Sequence, residues 1–194
     1  MTEKCILLSL LILAVCPLSA QKTVLDLSKV KAPEISCHIN GKSAKLPPGT
    51  EFTVGKEGIT LHYNFPSPGH DACMVEFPVE LKKFTSFAIR ISVPEPGHRP
   101  FMVLTDKNGE KHYFTLTGTR RIASQVISRK GTMTLKGEIS IANKHPGEYF
   151  AFRWGGDDNQ RIDFPIKKLM LGLNDSPDTF RGKGKITFHT LTFQ

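Results

Sequence analysis

Beyond residue 21 the apolar residues recur at every second position, in short runs cut by Pro, Gly, Asn and Asp, and helical spacing is nearly absent. That is the pattern of an antiparallel β protein whose strands turn one face to a core and one to water. In Ile59 to Phe65 the apolar set is Ile59, Leu61, Tyr63 and Phe65, with Thr60, His62 and Asn64 opposite. Phe87 to Val93 alternates in the same way, with Arg90 and Ser92 on the outer side. Phe101 to Thr105 and Lys111 to Thr117 flank Asp106-Lys107-Asn108-Gly109-Glu110, where Asn and Gly accept the positive φ of a tight connection, so a hairpin is predicted. Asn40-Gly41 marks a second, weaker hairpin. Further strands are expected at Tyr149 to Trp154, Leu169 to Leu173 and Lys185 to Phe193, the last slipping phase between Phe188 and Leu191 as a bulge makes a strand do. Strands at this spacing predict an all-β fold, a two-sheet antiparallel β-sandwich or jelly roll.

The first twenty residues differ in kind. Glu3 and Lys4 precede an apolar run from Cys5 to Val15, and Ser19-Ala20 ends it with small residues, the layout of a secretory signal peptide. The run falls short of the roughly 20 apolar residues that span a bilayer. The expectation is a secreted protein, extracellular or periplasmic, with residues 1–20 as signal and 21–194 as one β-sandwich domain without a membrane span. The formal charge of +8 stays wholly on residues 21–194. Its lysines and arginines are spread along the chain and no nucleic-acid module is present, so solubility or an anionic partner accounts for it, and no nucleic-acid partner is expected. Cys37 and Cys73 remain after the signal. A disulfide and a pair of buried thiols are both open.

Reactive groups do not converge in the sequence. The histidines never occur as His-x-His, and His70, His98 and His145 sit beside Pro-Gly, where solvated loop imidazoles are expected. A Gly-x-Ser-x-Gly elbow is absent, and the acidic residues gather in turn-like segments such as Asp106, Asp157-Asp158 and Asp175 to Asp178. No catalytic residues are assigned, and the chain is expected not to be an enzyme. The chemistry that stands out is aromatic and planar-polar. If Phe150, Phe152 and Trp154 point inward, Tyr149 and Arg153 point outward, and Tyr113 lies opposite His112 and Phe114. Aromatic faces stack on the C–H patches of sugars and planar polar groups satisfy hydroxyls. Arg90, Tyr113, Tyr149 and Arg153 are therefore the candidate ligand-binding residues.

The order Phe152-Arg153-Trp154-Gly155-Gly156-Asp157-Asp158-Asn159, then Ile162-Asp163-Phe164-Pro165-Ile166, Leu169 to Leu173 and Gly182 to Phe188, resembles the galactose-binding-like jelly roll. The version it is similar to occurs as carbohydrate-binding or accessory domains of bacterial extracellular polysaccharide-degrading proteins. Leu61 to Phe65 and Leu104 to Glu110 look like the matching early strand and hairpin, and Val24 to Leu27 like a first strand. The resemblance implies a secreted, non-catalytic domain that binds a polysaccharide or glycan, with the basic surface favouring an acidic one. The alternative is a cell-envelope structural or protein-interaction module on the same fold, and a small polysaccharide lyase or hydrolase is a distant third. Within the motif, Trp154 reads as a plug at one end of the sandwich in preference to a ring that stacks on sugar, and Gly155-Gly156 as a sharp bend. The superfamily often holds a structural calcium with acidic residues, some near the end of the last strand. That strand here reads Phe188-His189-Thr190-Leu191, without the carboxylate, so no cofactor or metal is assigned.

Overall fold

The computed structural model describes residues 22–31, 33–39, 42–65, 72–116, 127–139, 150–174 and 182–194. The expected signal segment, Tyr149, the Asn40-Gly41 turn, His70, His145 and Asp175 to Asp178 lie outside the described residues. Strand β1 is Thr23–Asp26, β2 Glu34–Ile39, β3 Lys42–Ala44, β4 Glu51–Gly55, β5 Gly58–Phe65, β6 Ala72–Leu81 and β7 Ser86–Val93. They are followed by β8 Pro100–Thr105, β9 Lys111–Thr115, β10 Gly131–Glu138, β11 Phe150–Trp154, β12 Ile166–Asn174 and β13 Gly182–Phe193. Among the described residues no helix is long and apolar enough to cross a membrane.

The strands form two antiparallel sheets. One runs β10-β7-β13-β5-β4, with β1 also pairing with β13, and the other runs β11-β9-β8-β12-β6-β2-β3. The fold is thus the expected two-sheet antiparallel β-sandwich. Its core lies between the inner faces, where Ile59, Leu61, Tyr63 and Phe65 of β5 meet Phe87, Ile89, Ile91 and Val93 of β7 and Leu169, Leu171 and Leu173 of β12. The period-two sets read from β5 and β7 are the buried sets. The phase slip in β13 is also present, as a register shift against β7 between Phe188 and Thr190. β8 and β9 pair across the predicted hairpin, and β2 and β3 pair up to Ile39 and Lys42 on either side of Asn40-Gly41. Cys37 and Cys73 stand opposite each other on β2 and β6, both buried, with their sulfurs 3.0 Å apart.

His98 departs from expectation. It is buried, not solvated, with partners in the preceding loop and on β5. Its Nδ1–H donates to the Glu95 carbonyl at 2.8 Å, which leaves Nε2 to accept from the Tyr63 hydroxyl. Burial holds the imidazole below the ordinary histidine value of 6.5. As pH falls through 6.5 the unfolded chain therefore takes up a proton before the folded one does. The stability His98 contributes is full above 6.5 and declines as pH drops towards the folded-state value. Urea midpoints measured from pH 7.5 down to 5 should fall more steeply for the native chain than for His98→Gln; parallel curves would exclude the effect.

Candidate functional site

The outer face of the second sheet is set by alternation along β9. His112 and Phe114 point into the sandwich, so Lys111, Tyr113 and Thr115 face out. Unbroken alternation along β11 would bury Phe150, Phe152 and Trp154 together. Phe150 is indeed in the core, opposite Phe114, but the register shifts between Phe150 and Phe152. The extra residue, Ala151, inverts the phase of everything after it. Phe152 then pairs with Tyr113 and Trp154 with Lys111, both on the outer face, while Arg153 pairs with His112 on the inner one.

This corrects three sequence assignments. Phe152 is 52% exposed and Trp154 41% exposed, so neither points inward and Trp154 does not plug the sandwich. Arg153 does not face solvent with a ligand-binding set; its guanidinium lies over the Phe150 ring, 5.1 Å from the centroid. Arg90 is exposed as expected, but on β7 of the other sheet, opposite Thr134 and Thr190. Arg90 and Tyr113 thus belong to opposite outer faces. The bend at Gly155 and Gly156 is as read, with φ of 75° and 64°.

Four rings line up on the face that Tyr113 shares. Phe101 stacks on Tyr113 at 4.9 Å, Tyr113 on Phe152 at 4.7 Å, and Phe152 leans against Trp154 at 5.4 Å. The first three lie on adjacent strands, β8, β9 and β11, whose spacing of about 4.8 Å suits stacked aromatics. The inner end rests on Gly172 of β12, directly opposite Phe101, where the absence of a side chain lets the ring tip close over the backbone. Tyr113 has a neighbour on each ring face. Burial pushes its hydroxyl up to about 12, against the pull of a hydrogen bond with Asn174 and the charge of Arg99. The open aromatic surface is therefore that of Phe152 and Trp154.

Beside the rings runs a groove of about 690 Å³ that crosses the sheet from β11 to β2. Its floor is a small apolar cluster, Met74, Phe101 and Val103 with Met170 packed against it, separate from the core between the sheets. Its far wall is polar, with Glu34, Ser36 and His38 of β2 and Glu76 of β6. Lys168 donates to Glu76 at 2.8 Å, so that carboxylate is held in an ion pair. A volume in the hundreds of Å³, apolar and aromatic on one side and polar on the other, suits a small organic ligand or a chain segment.

No protein-family model matches the sequence, and comparison with curated proteins returns no match. Solved structures do share the architecture. The family 11 carbohydrate-binding module from Clostridium thermocellum in complex with a β-1,3-1,4-mixed-linked tetrasaccharide superposes with a TM-score of 0.55 at 14% identity, over 89% of this chain and 94% of that one. The family 11 module of the cellulosomal cellulase Lic26A-Cel5E of Clostridium thermocellum gives 0.56 at 14% identity, over 90% and 95%. The fold is that of β-sandwich carbohydrate-binding modules. At this identity the likeness is one of fold, and the sandwich matches such modules over nearly its whole length.

Proposed function

We propose that the protein is a non-catalytic carbohydrate-binding domain that holds a glycan chain in the groove on the seven-stranded sheet. The observation that carries this reading is the exposed pair Phe152 and Trp154, set at the open end of an aromatic stack beside a wall of polar side chains. Sugars need both: a ring face for their C–H patches, and planar or charged groups for their hydroxyls. The structural neighbour bound to a tetrasaccharide supports a sugar chain as the ligand class. Glu34 and Glu76 stand side by side in register on adjacent strands, not across a cleft, and Lys168 engages Glu76. That arrangement serves binding and not glycosidic cleavage, which takes two carboxylates flanking the bond. The reading keeps residues 1–20 as an export signal and 21–194 as the binding domain.

The groove lining sets Lys111 against Glu34 and a Glu76 already paired with Lys168, so it does not itself select an acidic chain. An acidic preference rests instead on the basic surplus of the whole surface, and added salt weakens such binding. A glycan array with the purified protein, carrying neutral, uronic and sulfated polysaccharides at low and physiological salt, tests both points. Saturable binding to one class is expected. Silence across the array from a folded sample would overturn the glycan reading and make the apolar floor of Met74, Val103 and Met170 a protein-docking surface.

A further inference from the structure

The hairpin between β8 and β9 turns its acidic side chains inward. Asp106, Glu110 and His112 are all buried, and one donor atom from each lies within 4.8 Å of the others. His112 Nε2 is 3.4 Å from Asp106 Oδ2 and 3.8 Å from Glu110 Oε2. The burial comes from the bend after β11. The chain at Gly156 passes so close to the hairpin that a Cβ there would sit 2.3 Å from the Glu110 nitrogen.

The two carboxylates are treated very differently. Asp106 is fixed by three backbone donors: Oδ1 accepts from Asn108 and Glu110, each at 2.9 Å, and Oδ2 accepts from Asp163 at 3.2 Å. Glu110 is 0% exposed, and neither of its carboxylate oxygens has a hydrogen-bond partner; the Nδ1 of His112 has none either. A buried carboxylate left in that state is strongly unfavourable unless a proton or a cation compensates it. Arg153, across the strand from His112, bears on both groups through its charge, while its guanidinium lies over Phe150.

We propose that Asp106, Glu110 and His112 form a structural site for a divalent ion of the zinc type. The spacing suits it: a tetrahedron with bonds of about 2.0–2.1 Å places its corners roughly 3.3–3.4 Å apart, close to the 3.4 Å and 3.8 Å that separate His112 Nε2 from the two carboxylates. The donor set suits it as well. An imidazole with carboxylates fits zinc, whereas calcium takes six to eight oxygens. Asp106 Oδ2, His112 Nε2 and Glu110 Oε2 supply three donors, and a water would take the fourth corner. Through the Asp163 N–H on Asp106, the ion would tie the hairpin to the segment between β11 and β12. Being buried, the site fills as the hairpin folds, and metal binding becomes folding stability.

The test is metal content and thermal unfolding of the whole purified protein, stripped with a chelator and then exposed separately to zinc and to calcium chloride. One equivalent of zinc retained after dialysis, with a rise in Tm of at least about 5 °C, is expected. Glu110→Gln should lose both. Cobalt(II) in place of zinc should give the visible absorption of a tetrahedral site. A native chain that retains no zinc and shows no change in Tm, or that prefers calcium, overturns the proposal. If Glu110→Gln does not fold, the metal content of the native chain decides alone.

Discussion

Replacing Trp154 by alanine is expected to weaken binding of the preferred glycan at least about tenfold while leaving Tm almost unchanged. A tenfold loss corresponds to about 1.4 kcal/mol, within reach of one aromatic face that a sugar ring covers. Trp154 is 41% exposed, leaning against Phe152 and lying under the Lys111 ammonium, 6.0 Å from the ring centroid. Little of the fold rests on it. Phe152→Ala should weaken binding similarly but also lower Tm, because it removes a ring stacked on Tyr113. Arg90→Ala, on the opposite sheet, should change nothing in the same titration. Native affinity in Trp154→Ala, or a loss in Arg90→Ala, would place the site elsewhere.

The second large effect is expected at Gly172. A methyl group there would lie 2.4 Å from Phe101 Cζ and 2.6 Å from the Cys73 carbonyl oxygen. The ring tip can swing away. The carbonyl cannot, since β12 is paired with β6 on that side and β8 on the other, deep inside the sheet. Overpacking of this kind costs about 1–3 kcal/mol, so Gly172→Ala should melt at least about 3 °C lower. Displacing Phe101 also removes the support of Tyr113 and, through it, Phe152, so glycan affinity should fall with stability. An unchanged melting curve would mean that the strand absorbs the methyl group and that the stack does not depend on this close approach.

The legible parts of the fold were strands with a single buried face. β5 and β7 each bury every second residue, and the hairpin after Thr105 announces itself through Asn108-Gly109. β6 escaped because it is covered on both sides: Cys73 and Val75 face the core while Met74 floors the groove, so the apolar run has no period. The candidate site was half legible. Tyr113 was placed on an outer face, where the structure has it, but alternation says that a residue is out, not on which sheet, and so it grouped Arg90 with Tyr113. The bulge at Ala151 is invisible to period-two reasoning until the register with β9 is known, and it moved Phe152 and Trp154 out and Arg153 in. Glu110 carried no signal beyond its place in the hairpin connection, since its burial depends on a distant bend at Gly155-Gly156.

β13 pairs with β5 along its first half and with β1 along its second, with β7 on its other flank. The earliest strand therefore finds its partner only in residues 190–193, with almost the whole chain between them. Its pairing closes a very long loop, and loop entropy must be overcome before that contact gives anything back. Such a topology has a high contact order and folds in milliseconds to seconds. Until residues 190–193 are made β1 has nothing to zip onto, and the sheet that β13 joins lacks its central strand. Folding of that sheet accordingly waits on β13, with the edges of β5 and β7 open until it slots between them.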